Sequence, residues 1–140
     1  MSKFKFKTFN RYDEIRAQKG IEHTAMDELD QVRGTFRVSL QDMTSKYVKV
    51  ELERVARENE EQLKKLTNEE REKFVFANLF IHGWKDVLDG DDQPVPFSQE
   101  AAYELFLHDE WLFVHLNNVS RNIHAFQADP RATKEKTAKN

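Results

Sequence analysis

Residues 67–84 decide the fold: Thr67-Asn68-Glu69-Glu70-Arg71-Glu72-Lys73-Phe74-Val75-Phe76-Ala77-Asn78-Leu79-Phe80-Ile81-His82-Gly83-Trp84. Thr67 to Glu70 has the spacing of a capping box. The threonine side chain takes a first-turn N–H, and the glutamate reaches back to the N–H of the cap residue. A helix therefore begins at once, after a tight antiparallel turn. Its body, Phe74 to Ile81, is apolar on nearly every face, with Phe74, Ala77 and Ile81 on one stripe and Phe76, Leu79 and Phe80 on another. A small domain either encloses such a helix or turns one stripe toward a neighbouring chain, since large exposed apolar patches usually mark contact surfaces. Gly83 is expected to end the helix by entering the left-handed region without penalty.

Upstream, Thr44 or Ser45 can cap a long helix whose apolar stripe is Val48, Leu52, Val55, Leu63 and Leu66. Asn59 interrupts that stripe. It either fixes register in a coiled-coil-like seam or marks a bend with the amide solvated. Thr35 to Leu40 alternates apolar and polar and reads as a strand. Ile21 to Met26 is either the start of a short helix or, as expected here, that strand's hairpin partner, turning through 27–33. Phe4, Phe6 and Phe9, with lysines between, suggest a short strand or an extended arm. Downstream, Ser98 is expected to cap a helix with Tyr103, Phe106 and Leu107 on its apolar face. Asp109 is expected to cap a last one with the stripe Leu112, Leu116, Val119, Ile123 and Phe126.

These elements predict a mainly α protein: a bundle of about four helices with a short N-terminal β-hairpin or arm. Residues 1–128 form a single domain, strand-like over 1–41 and helical over 44–127. Beyond Ala128 no large apolar residue remains to offset the entropy of ordering, so 129–140 is expected to be disordered.

The 140 residues suffice for one domain with a real core. Apolar content of 39% and charged content of 34% suit a soluble, helix-rich chain. The net charge of −3 argues against binding driven by nucleic-acid phosphates. The absence of cysteine removes disulfides, thiolate zinc sites and cysteine nucleophiles together. Met1 to Phe9 lacks the continuous apolar core of a signal peptide, and the apolar run at 74–81 is too short to span a bilayer. The chain reads as soluble and intracellular, with no membrane partner.

No catalytic, cofactor or metal constellation emerges. Asp89, Asp91, Gln93 and Glu100 fall at calcium-loop positions, but Pro94 stands where the sharp turn needs glycine. A turn at Asp89-Gly90 with solvated aspartates is the expected reading. His23, His82, His108, His115 and His124 are scattered. Glu104 and His108 lie one helical turn apart without a zinc-protease motif. Four glycines leave almost no material for a phosphate-cradling loop. The Lys3–Phe9 arm mixes bases with aromatics and could stack on single-stranded nucleic acid, but strand pairing is the expected use.

The order of Gly83-Trp84-Lys85-Asp86-Val87, the Asp/Gly-rich link, Pro94-Val95-Pro96-Phe97-Ser98 opening a helix, and Trp111 in the next unit resembles the tail assembly chaperones of long-tailed bacteriophages. The resemblance is best over 83–126 and weak before residue 66. It implies a non-enzymatic protein of the host cell cytoplasm that binds the tape measure protein and helps recruit tail tube protein. Such a protein self-associates, is absent from the finished virion, and is in many cases also made as a longer frameshifted form. Phe76, Phe80, Trp84, Phe97, Trp111 and Phe113 are the expected partner-binding residues, a set containing both core anchors and contacts. Two competing functions are a structural head–tail or connector protein and a small helical regulator that binds nucleic acid through the arm.

Overall fold

The computed structural model describes residues 3–128. In chain order it gives α1 (Glu14–Lys19), β1 (Ile21–Met26), β2 (Val32–Val38), α2 (Lys46–Glu58), α3 (Glu60–Lys64), α4 (Asn68–Leu79), β3 (Ile81–Lys85), α5 (Gln99–His108), α6 (Glu110–Arg121) and a 3-10 turn, Ile123–Phe126. The expected mainly α bundle is corrected here. Among the described residues there are six α-helices and a three-stranded antiparallel sheet, so the fold is mixed α/β.

The correction turns on β3. Sequence reading continues α4 through Ile81 and stops it at Gly83. In the structure α4 ends at Leu79, Phe80 is its C-cap, and the chain goes straight into a strand. Gly83 does not take a left-handed conformation. Its neighbours pair with β2 instead: Thr35 opposite Lys85, Phe36 opposite Trp84, Val38 opposite Ile81, with a bulge that leaves His82 over. The expected hairpin does form, with Ile21 opposite Val38 and Ala25 opposite Gly34, and β2 lies between β1 and β3.

The sheet has two unlike faces. Glu22, Thr24, Thr35, Arg37 and Lys85 share the outer one, where Arg37 pairs with Glu22 at 3.9 Å and the Thr24 and Thr35 hydroxyls meet at 2.9 Å. Ala25, Phe36, Val38 and Ile81 on the inner one are fully buried with Val55, Phe76, Ala77, Phe106, Leu112 and Leu116 of the helices. A smaller second core joins Ala17 of α1 to Leu40 and Phe126.

The helix starts follow their local chemistry. Ser45, Thr67, Ser98 and Asp109 each accept a first-turn N–H, and the Thr67–Glu70 box closes in both directions at 2.9 and 3.2 Å. At Asn59 the expected break is found, but the amide is not left to solvent. The helix breaks there, and the half-buried amide donates to the Val55 carbonyl at 2.9 Å. Helix α1, capped by Asp13, lies within the part expected to be strand-like. Residues 3–10 carry no strand, and Phe4, Phe6 and Phe9 are exposed. The expected disorder of 129–140 falls outside the described residues.

Candidate functional site

Helices α4 and α6 form two walls of a groove of about 610 Å³. Arg71, Glu72, Val75 and Phe76 come from α4, with Phe80 just past its end. Phe113, Asn117 and Arg121 come from α6, spaced by four so that they share one face. Gln41 and Met43, between β2 and α2, close the remaining side. From Phe113 to Arg121 the α6 wall runs about 12 Å.

The floor is aromatic. Phe76, Phe80 and Phe113 are 3%, 4% and 8% exposed. Phe76 packs on Phe80 at 6.0 Å, on Phe113 edge-on at 5.6 Å, and on Phe106 beneath at 5.5 Å. Three of the six expected partner-binding residues are therefore core rings that also floor the groove. Val75 is half-buried beside them, and Met43 is exposed.

The rim is polar. The Gln41 Nε2 donates to Asn117 Oδ1 at 2.6 Å. Arg71 is held by donating to the Leu63 carbonyl at 2.8 Å and to Asn68 at 3.2 Å. Buried Lys73 on α4 pairs with Glu110 on α6 and lies 5.6 Å from the Phe113 ring centroid, tying the two walls together.

The other three expected residues lie elsewhere and do not join the groove. Trp84 meets Phe97 edge-on at 5.2 Å and Phe36 at 6.0 Å, and its indole donates to the Val95 carbonyl at 2.7 Å. Trp111 stacks on His115 at 4.9 Å, donates to Glu28 at 3.1 Å, and lies under the Arg33 guanidinium at 5.8 Å. Arg33 also pairs with Asp27 and Asp109, which fastens the β1–β2 turn to the start of α6. Both tryptophans and Phe97 are half-buried.

A second cleft, about 660 Å³, opens between the N-terminal segment and α2. Asp42 is its hub, accepting from the Tyr12 hydroxyl and Thr44 Oγ1, both at 2.6 Å, from the Thr44 N–H at 3.0 Å, and from Arg11 at 3.4 Å. Burial works to raise the Asp42 pKa, but the Thr44 and Tyr12 hydrogen bonds outweigh it and hold the carboxyl below its ordinary value. Burial, then the same carboxylate, pushes Tyr12 up to about 12. In this cleft Ser39 Oγ and His82 Nε2 lie 2.8 Å apart, and Ser120 donates to the Ser39 carbonyl at 2.7 Å. No carboxylate orients the His82 ring among the described residues, so the contact ties the residue after β2 to β3 without the third member of a catalytic triad.

No group of three or more metal-ligating side chains occurs among the described residues. In the calcium-like loop the Asp89 carboxylate accepts the N–H groups of Asp91 and Gln93, at 2.8 and 3.0 Å, and so serves the turn itself. No helix among the described residues is long and apolar enough to cross a membrane.

Gln41, Met43, Arg71, Glu72, Val75, Asn117 and Arg121 escaped sequence reading as groove residues. The spacing 113, 117, 121 marks one helix face, but only the packing of α4 against α6 shows that this face lines a gap. No curated protein and no solved structure matches the chain. The model of the family described as YdaY prophage protein matches residues 36–140. That span takes in every residue of the groove and leaves out the arm, α1 and β1. With three-quarters of its length matched, the chain belongs to the YdaY prophage protein family and is of phage origin.

Proposed function

We propose that the protein is a phage tail assembly chaperone, and that the groove between α4 and α6 holds a helical segment of the tape measure protein. The supporting observation is the slot itself: an aromatic floor of Phe76, Phe80 and Phe113 inside a polar rim. An amphipathic helix docks by laying side chains at i, i+3, i+4 and i+7 into such a channel, and about 12 Å accommodates two turns. The buried rings give the floor a fixed shape, while Val75 and Met43 offer apolar contact without a large exposed patch.

The prophage family and the order of residues in 83–126 support the same reading. In this role the protein makes and breaks no covalent bond. It works in the host cytoplasm, self-associates, keeps the tape measure protein soluble while tail tube protein is recruited, and then leaves. Co-expression with a tape measure protein tests it. The wild type should keep the client in the soluble fraction, and Val75→Asp with Met43→Asp should lose it while helical circular dichroism is unchanged. Mass spectrometry of purified virions should not detect the protein. Its presence there in stoichiometric amount would favour a structural head–tail component.

A further inference from the structure

The groove also carries charge, and its charges differ in how they are committed. Arg71 and Arg121 stand on opposite walls, on α4 and α6, with Glu72 beside Arg71. The rim is therefore net positive on a chain whose net charge is −3. Arg71 keeps its guanidinium at the rim through its bonds to the Leu63 carbonyl and Asn68, neither of which neutralises it. Arg121 is exposed and forms no ion pair among the described residues. A ligand seated on Phe76, Phe80 and Phe113 brings its own flanks to these two cations.

Resting on the docking reading above, we infer that the groove selects one kind of occupant: an amphipathic helix whose apolar stripe is flanked by acidic side chains. Apolar contact with the floor supplies affinity. The arginines supply selection, because guanidinium binds carboxylate in a planar fork and repels a basic flank. Length limits the occupant as well, since a wall of about 12 Å engages roughly two turns. The groove therefore reads a short segment of a long helical partner. The chain's own Lys3–Phe9 arm has exposed phenylalanines but a basic flank, which makes it a poor occupant.

Three synthetic 16-residue helices test this by fluorescence anisotropy, with an identical leucine stripe and flanks of glutamate, glutamine or lysine. The glutamate peptide should bind roughly three- to tenfold more tightly than the glutamine peptide, as expected for one or two exposed pairs, with the lysine peptide weakest. The spread should narrow at 0.5 M salt. Arg121→Glu should shift preference toward the lysine peptide, with helical circular dichroism unchanged and only the small loss of unfolding midpoint expected from reversing a last-turn charge. If all three bind equally and Val75→Asp abolishes all three, the groove docks helices but does not read charge, and this inference fails alone. If none binds, or if binding ignores Val75→Asp, the docking reading fails with it.

Discussion

The Nε2 atoms of His23 on β1 and His115 on α6 lie 2.9 Å apart, a hydrogen bond that holds the edge of the sheet against the last helix. It needs one imidazole as donor and the other as acceptor, so it requires that the pair not be doubly protonated. Burial, then His115, lowers the His23 pKa below its ordinary 6.5. Trp111 stacks on the other ring, and Glu28 and Arg33 are the charges gathered around that indole. The unfolded chain takes up the proton first. Stability is therefore complete above about pH 6.5 and falls as pH drops from there toward the depressed folded value. Desolvation and then Arg37 lower His82 in the same direction, but that side chain is exposed, so its share of the loss is small. Urea midpoints should fall between pH 7 and 5. His115→Gln, which retains a donor, should shrink the fall, with about 1 kcal/mol at stake for the hydrogen bond.

Gly34 and Gly83 should respond very unequally to alanine. Gly34 has φ +128°, and a Cβ there would stand 2.8 Å from Val87 Cγ2 and 3.1 Å from the Phe36 ring. Strain and overpacking together should cost about 2–3 kcal/mol, measured as a drop in thermal midpoint. Gly83→Ala meets nothing within 4 Å, so its midpoint should move by less than about 0.5 kcal/mol. A large loss at Gly83 would restore the helix-ending role that the sequence suggests for it.

The contrast between these glycines shows which parts of the fold could be read in advance. N-caps are local chemistry, so Thr67, Ser98 and Asp109 are legible, Ser45 is legible as one of two candidates with Thr44, and alternation exposes the β1–β2 hairpin. The segment 80–84 was not legible, because a short apolar run fits a buried helix or a buried strand equally well. Strand pairing settles it, and Phe36 opposite Trp84 is a contact 48 residues away in sequence. Helix α1 had a local sign in Asp13, but its six residues bury only Ala17 and show no periodic stripe. Of the site, the floor rings are legible as aromatic residues on apolar helix stripes. Their shared groove depends on a gap between helices that sequence spacing does not encode.

Thr67→Ala should remove about 1 kcal/mol of stability, the usual value of an N-cap. The hydroxyl accepts the Glu70 N–H at 3.2 Å and sets the first turn of α4, on which Arg71 and Glu72 of the groove rim stand. Thr67→Ser keeps the oxygen and should recover most of the loss. Guanidinium unfolding of the two variants at pH 7 gives the comparison.

Asp42→Asn should loosen the N-terminal segment more than the rest. The carboxylate holds Tyr12, Thr44 and Arg11 together, and its pKa lies below the ordinary carboxyl value. That contribution is present above about pH 4 and disappears as pH falls through the folded value. At neutral pH the variant should lose about 1.5–3 kcal/mol, the range for a hydrogen bond to a charged group. Limited trypsin digestion should cut after Arg11 or Arg16 sooner than in the wild type, with the helical core intact.

Floor and rim of the groove should separate in one pair of variants. Phe76 belongs to a triangle with Phe106 and Phe113, at 5.5, 5.6 and 5.8 Å, so Phe76→Ala opens a cavity and should cost about 3–5 kcal/mol. Loss of client binding in that variant says nothing about contact, because the floor itself has collapsed. Val75, half-buried on the same helix, can take a charge without emptying the core. Val75→Asp should keep its unfolding midpoint within about 1 kcal/mol of wild type and still fail to hold the client soluble. A Val75→Asp protein that solubilises the client normally would move the binding surface away from α4, toward the half-buried rings at Trp84 and Phe97 or at Trp111.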